Sequence, residues 1–153
     1  MYQRILVPYD DSKFSKKALD EAIKIAQMTN GDLYICTVVS VTNIVPPGSL
    51  LGLVKSASKA ELHQKLLKSA KSYADRTLSS KISYCNSKHV RAYYKIIVEG
   101  SIVDEILKLA KKKSIDLIVI GSQGLHGIER LKSLGSVSRK VSELADCPVL
   151  IVR

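Results

Sequence analysis

Cysteine is scarce in this chain, and what there is cannot pair up. Cys36, Cys85 and Cys147 are odd in number, and no two of them have the spacing of a zinc site or a redox pair. A disulfide framework and a structural zinc are therefore not expected. Cys36 lies inside an apolar run and Cys147 precedes Pro148 at a strand start, so both read as small core residues. No apolar run reaches the roughly 18 residues of a transmembrane helix. Met1-Tyr2-Gln3-Arg4-Ile5-Leu6-Val7 passes straight into a strand pattern, without the long apolar segment and cleavage site of a signal peptide, so a cytoplasmic location is expected. No nucleophile elbow, metal-ligand cluster or Walker lysine is present, so catalysis is not expected. Nucleic-acid recognition is not expected either: zinc-finger spacing, an arginine-rich stripe and an aromatic platform motif are all missing. No internal repeat or low-complexity segment interrupts the chain.

What is present fits one α/β domain. A chain of 153 residues can bury about 68–70% of its unfolded surface and needs no staples. Lysine and arginine number 24 against 14 acidic residues, a net charge of +10, which suits an anionic ligand or surface. The lysines are spread over several predicted helices. The one tight run, Lys111-Lys112-Lys113, falls at a predicted helix C-terminus, where cations complement the dipole.

Residues 4–10 read as a buried strand ending at Pro8, with Asp11 and Ser12 offering helix-capping chemistry. Phe14, Ala18, Leu19, Ala22, Ile23, Ile25 and Ala26 then form a stripe of helical period, stopped by Asn30-Gly31-Asp32. Residues 33–41 read as a second strand, followed by a loop containing Pro46-Pro47-Gly48. A helix is expected from about residue 56 to about 78, with Leu62, Leu66, Leu67, Ala70, Tyr73, Ala74 and Leu78 on one face. Residues 79–89 read as a polar connection, and 91–98 as a third strand. Ser101 with Asp104 suggests a capping box opening a third helix, whose buried face is Ile102, Val103, Ile106, Leu107 and Ala110. A strand at 115–120, a helix at 137–145 and a strand at 148–152 complete the order. Strict alternation with doubly apolar strands implies a parallel sheet covered by helices on both faces. Ligands of such sheets bind beyond the carboxyl ends of the strands, where the strand order reverses.

Gly121-Ser122-Gln123-Gly124-Leu125-His126-Gly127, running on to Leu134-Gly135-Ser136-Val137-Ser138, joins the fourth strand to the fourth helix. Glycine lets backbone N–H groups approach an anion, and a helix N-terminus adds partial positive charge. The stretch is either a phosphate cradle or a strand-to-helix turn that needs glycine for its own sake.

The sequence resembles the universal stress protein family over nearly its whole length. The resemblance rests on Ile5-Leu6-Val7-Pro8 with Asp10, Val98-Glu99-Gly100, Asp116-Leu117-Ile118-Val119-Ile120-Gly121-Ser122-Gln123-Gly124, Leu134-Gly135-Ser136-Val137-Ser138 and Cys147-Pro148-Val149-Leu150-Ile151-Val152-Arg153. It implies one nucleotide-binding domain over residues 1–153, a three-layer α/β/α fold with a five-stranded parallel sheet of order 3-2-1-4-5. It also implies the ATP-binding branch, marked by Gly, two residues, Gly, nine residues, Gly, then Ser or Thr. Carried over, Gly121, Gly124, Gly135 and Ser136 with the backbone of Val137 would hold the phosphates of ATP. Asp10 would lie near the adenine–ribose end of ATP or its metal-bound phosphates, Mg²⁺ being the candidate metal, and Val38 would present backbone to adenine. Pro8 is counted with the cofactor-binding residues, and Gln123, in the same loop, reads as a phosphate-side contact. One departure is that residues 125–134 place ten positions between Gly124 and Gly135, where the pattern has nine. The extra residue is either absorbed as a bulge or moves Gly135-Ser136 off the phosphates.

Each site residue has a plainer alternative. Asp10 can serve the next helix as an N-terminal carboxylate, and Ser136 can cap the fourth helix. His126 could be an acid–base group but has no evident partner and reads as a solvated loop residue; Arg130 and Lys132 either screen phosphate charge or decorate the surface. The resemblance further implies a homodimer through Val149, Leu150, Ile151 and Val152, the alternative being an edge strand covered within the chain. Three functions stay open: an ATP-binding stress or signalling module with at most slow hydrolysis, an interaction module that does not bind nucleotide, and a basic nucleic-acid-associated protein.

Overall fold

The computed structural model describes residues 1–40, 56–125 and 133–153. Strands β1 (Arg4–Pro8), β2 (Asp32–Val39), β3 (Ala92–Val98), β4 (Leu117–Gly121) and β5 (Val149–Val152) alternate with helices α1 (Lys13–Thr29), α2 (Ser56–Ser87), α3 (Ile102–Lys112) and α4 (Ser136–Leu144). The strands form one sheet of order β3-β2-β1-β4-β5, and every pairing is parallel. The expected α/β class and strand order are those observed. The Pro46-Pro47-Gly48 loop and the end of the expected second strand at Val41 lie outside the described residues.

The side-chain period of two sorts the core into two layers. Ile5 and Val7 of β1, Leu33 and Ile35 of β2, and Leu117 and Val119 of β4 face α1 and α2. Leu6, Cys36, Ile118 and Ile120 point the other way, onto Ile106, Leu109 and Ala110 of α3 and Val141 of α4. β1 is central, and its Ile5, Leu6 and Val7 are fully buried. At its start the Asp116 carboxylate accepts from the backbone N–H groups of Gln3 at 2.8 Å and Arg4 at 3.1 Å, tying β1 to the approach of β4.

Helix α1 follows its expected stripe, with Phe14 and Ile25 at the half-buried margin. Ser12 caps it, accepting from the Ser15 N–H at 3.1 Å, and Asn30 ends it in the left-handed region at φ 54°. Two expectations for α2 fail. α2 does not stop near residue 78 but continues to Ser87. Ile82 and Cys85 follow Leu78 at steps of four and three, and Cys85 is fully buried against the α1 side of the sheet. That narrow stripe suffices to hold an otherwise polar helix end in place. Tyr73, expected on the buried face, is 55% exposed.

The capping box at Ser101 does not form: Ser101 takes the cap position, but its side chain makes no capping bond. The short Asp104 side chain is poorly suited to the reciprocal bond that a Glu or Gln makes, and the Glu105 side chain folds over Gly100 instead. The buried residues of α3 are Ile106, Leu109 and Ala110, with Ile102, Val103 and Leu107 only half-buried. Cys36 and Cys85 are fully buried, and burial pushes their thiols up to about 12 and about 11. Cys147, expected in the core, is half-buried. No helix among the described residues is long and apolar enough to cross a membrane.

Candidate functional site

The carboxyl ends of β1 and β4 are joined by a lattice of short contacts. β1 ends at Pro8, and the next residue, Tyr9, stays in the sheet through its N–H to the Cys36 carbonyl at 2.8 Å. The Thr37 hydroxyl donates to the Tyr9 carbonyl at 2.6 Å. The chain then turns at Asp11, which takes φ 64°. Three donors surround its carboxylate: the Tyr9 and Tyr73 hydroxyls at 3.1 Å each and the Lys16 ammonium at 3.2 Å. Burial pushes the Asp11 carboxyl up, but Lys16 and the two hydroxyls outweigh it and hold it below its ordinary value. Burial pushes the Tyr9 phenol up, with Asp11 adding to the effect, so Tyr9 keeps its proton.

Asp10 lies at the mouth of this turn and is exposed. One carboxylate oxygen accepts from the Ser12 N–H at 3.1 Å, the local bond of an N-terminal carboxylate. The other accepts from the backbone N–H of Leu125 at 3.2 Å. Asp10 therefore serves the start of α1 and also clamps the loop that leaves β4.

The glycines of that loop have reasons rooted in packing. A Cβ on Gly121 would sit 2.7 Å from the Phe14 carbonyl carbon, because the first turn of α1 lies directly on the end of β4. A Cβ on Gly124 would sit 2.8 Å from the clamping oxygen of Asp10. The first contact is with backbone, which cannot move away cheaply; the second is with the end of a side chain.

Gly135 returns to the same place. Its N–H donates to the Ser122 carbonyl at 2.8 Å, so the ten-residue span closes back onto the loop that follows β4. Ser138 secures the closure, its hydroxyl lying 2.9 Å from the Ser122 carbonyl and 3.0 Å from that of Gly135. The Gln123 side-chain amide donates to the Ser133 carbonyl at 3.0 Å. Gln123 is thus buried as a brace within the loop.

Gly135 is the N-cap of α4 and has no side chain to cap it; Ser136 is the first helical residue and is exposed. The expectation of Ser136 as the cap is corrected by this one-residue offset. The first turn of α4 carries no acidic side chain. Its N–H groups and the Ser136 hydroxyl form a positive, donor-rich end suited to an anion. Val137 is half-buried against the α3 side of the core. Val38 lies near the carboxyl end of β2, half-buried and in register with Ile97.

The structure thus brings Asp10, Gly121, Gln123, Gly124, Gly135 and Ser136 into one neighbourhood. His126, Gly127, Arg130 and Lys132 lie outside the described residues. Ser138, Tyr9 and Tyr73 had no expected role at the site. Ser138 carried a signal, a hydroxyl three residues after a glycine cap, but its second partner, Ser122, is set by the fold. The link from Tyr73 to Asp11 spans two elements and has no local signature.

The whole chain, residues 1–153, matches the model of the universal stress protein family. The universal stress protein YxiE of Bacillus subtilis is 36% identical over the full length of both chains. The solved structure of the universal stress protein UspA from Lactobacillus plantarum has a TM-score of 0.83 at 25% identity, covering 99% of this chain and 98% of its own. A universal stress protein solved in complex with cAMP has a TM-score of 0.61 at 25% identity, covering 99% and 97%. With its sheet order, its β4–α4 loop and these matches in agreement, the chain belongs to the universal stress protein family.

Proposed function

We propose that this protein is a stress-response or signalling module that binds ATP at the carboxyl ends of β1 and β4. The observation that carries the reading is the uncapped N-terminus of α4, held beside the β4 loop by the Gly135–Ser122 bond. Such an end attracts phosphate through its free N–H groups and its dipole. In this reading Gly135, Ser136 and Val137 hold phosphate oxygens, and the backbone of Gly121 and Gly124 lines the cradle. Gln123 acts on the phosphate side as a brace of the loop. Pro8 and Asp10 flank the ribose or the phosphate-bound cation, and Val38 offers backbone to the adenine. The family relative bound to cAMP supports an adenine nucleotide as the ligand class. No cluster of three or more His, Cys, Asp or Glu side chains suited to a metal occurs among the described residues. A Mg²⁺ ion would thus arrive with the nucleotide, held by its phosphates with Asp10 as the carboxylate at hand.

The second reading is an interaction module of the same fold that does not bind nucleotide. It is favoured by the packing reasons for Gly121 and Gly124, which account for both glycines with no ligand. Calorimetric titration with ATP and Mg²⁺ separates the two, since only the first predicts saturable heat. Under either reading the protein acts as a homodimer through Val149, Leu150, Ile151 and Val152. β5 ends the sheet and leaves Leu150 39% exposed, and an apolar edge of this kind is stabilised by pairing.

A further inference from the structure

We propose that the α3-side face of β2 and β3, near the amino ends of those strands, is a docking surface for single-stranded nucleic acid. Tyr34 and Tyr93 supply the stacking platform, and Lys95, Lys111, Lys112 and Lys113 supply the cations.

The β2–β3 register sets Tyr34 opposite Tyr93. Their rings stack with centroids 5.4 Å apart and planes inclined by 28°. The Lys113 ammonium lies 5.8 Å from the Tyr34 ring centroid. Tyr93 is 50% exposed although it sits within a strand. α3 packs its buried side chains over β1, β2 and β4, which leaves this corner of edge strand β3 open. The pair is also held differently from Tyr73, Tyr84 and Tyr94, which each donate a hydroxyl hydrogen bond to an aspartate: Asp11, Asp20 and Asp75. Tyr34 and Tyr93 make no such bond among the described residues; they are placed by stacking, Tyr34 half-buried beside Lys113 and Tyr93 the exposed ring.

The charge around the platform is positive, and its lysines are free of ion pairs among the described residues. Lys95 is two residues beyond Tyr93, so it shares that face, and it is exposed like Lys111, Lys112 and Lys113. The nearby carboxylates are already occupied: Asp32 pairs with Arg91, and Asp116 accepts from the backbone of β1. The α3 dipole explains Lys111 and Lys112 in the last helical turn, but it does not explain Lys95 in the middle of a strand. An aromatic pair with Tyr93 exposed and cations at its border fits a chain that offers base faces and phosphates together. A duplex hides its base faces, an acidic peptide has no use for the rings, and a membrane would call for apolar side chains that this face lacks. No sequence motif reveals the platform, because its two rings lie in different strands. It sits at the opposite end of the strands from the candidate nucleotide site and at the opposite edge of the sheet from β5, so it does not rest on the preceding reading.

The test is fluorescence anisotropy of the full chain with fluorescein-labelled oligouridylate and oligothymidylate of about fifteen nucleotides, in the range of known single-strand sites. Binding is expected with a slope of log affinity against log salt of about −2 to −3, from three or four phosphates at roughly 0.7 each. Preference for either oligomer supports the surface and tells RNA from DNA. Tyr93→Ala should weaken binding about tenfold with an unchanged slope, and Tyr93→Phe should keep it. Replacing Lys111, Lys112 and Lys113 by Gln should flatten the slope by about two; these exposed positions keep the test valid if Tyr93→Ala fails to fold. The proposal is overturned by no binding, or by Tyr93→Ala binding like the parent protein. Equal affinity for a duplex of the same length or for phosphatidylserine vesicles also overturns it, as does displacement of the oligomer by ATP, which would put it at the other end of the sheet.

Discussion

Asp10 accepts a hydrogen bond from the backbone N–H of Leu125 at 3.2 Å, with the same carboxylate oxygen 2.8 Å from where a Cβ on Gly124 would stand. The ends of β1 and β4 are thereby locked together through one side chain. Gly124→Ala pushes that oxygen aside without meeting backbone. The variant should fold and lose about 1 kcal/mol or less in chemical denaturation, yet bind ATP several-fold more weakly as the cradle shifts. Gly121→Ala, which meets the Phe14 backbone, should instead cost about 1–3 kcal/mol of stability. Equal stability losses in the two variants would count against this division of roles.

Ser138 is the second fastener. Its hydroxyl bonds to the carbonyls of Ser122 and Gly135 and is buried. Ser138→Ala leaves those acceptors with fewer donors and should cost about 1–2 kcal/mol. Amide exchange should quicken at Gly135, whose N–H donates to Ser122. Unaltered protection at Gly135 would mean that the Gly135–Ser122 bond holds the closure alone.

Asp11 gives a pH signature. Its carboxyl is held below its ordinary value in the folded protein, so its stabilisation is fully present above the unfolded value of about 3.9. It is lost as pH falls through the folded value. Asp11→Asn should therefore be less stable than the parent by about 1 kcal/mol at pH 7, with the gap closing under strong acid. Urea titrations at both pH values measure this, and a gap independent of pH would contradict it. High salt should narrow the gap at pH 7, because Lys16 is about half exposed.

The proposed dimer is tested at β5. Placing aspartate at both Leu150 and Val152 adds two like charges per chain beside their symmetry mates. Light scattering should then give the mass of one chain for the variant and of two for the parent. A variant that keeps twice the chain mass would exclude β5 as the interface.

The sheet was legible because its strands are either buried on both faces or bounded by turn residues. Ile118, Val119 and Ile120 form an unbroken apolar run, and all three are buried. The end of α2, residues 79–87, was not legible, because Ile82 and Cys85 are a thin stripe among serines, lysine and asparagine. Its helical state is decided by docking on α1 and the sheet rather than by propensity. At the candidate site, glycine spacing drew attention to the right loop but offered only phosphate approach as the reason. Phe14 against Gly121 and Asp10 against Gly124 are contacts between distant segments, which spacing cannot encode. The ten-residue count raised the question of whether the extra residue moves Gly135 and Ser136 off the phosphates; the bond of Gly135 to Ser122 puts the start of α4 beside the loop, and titration with ATP tests the rest.

The central claim is that the first turn of α4, beside the Asp10-clamped loop, receives the phosphates of ATP. Isothermal titration of the full chain with ATP and Mg²⁺ tests it most directly, with Ser136→Asp as the paired variant. That substitution puts a carboxylate at the first helical position, where it suits the helix dipole but repels phosphate. The parent protein should give saturable heat at one site per chain. Ser136→Asp should lose at least tenfold in affinity with unchanged thermal stability. No heat from the parent, or equal affinity in the variant, would contradict it.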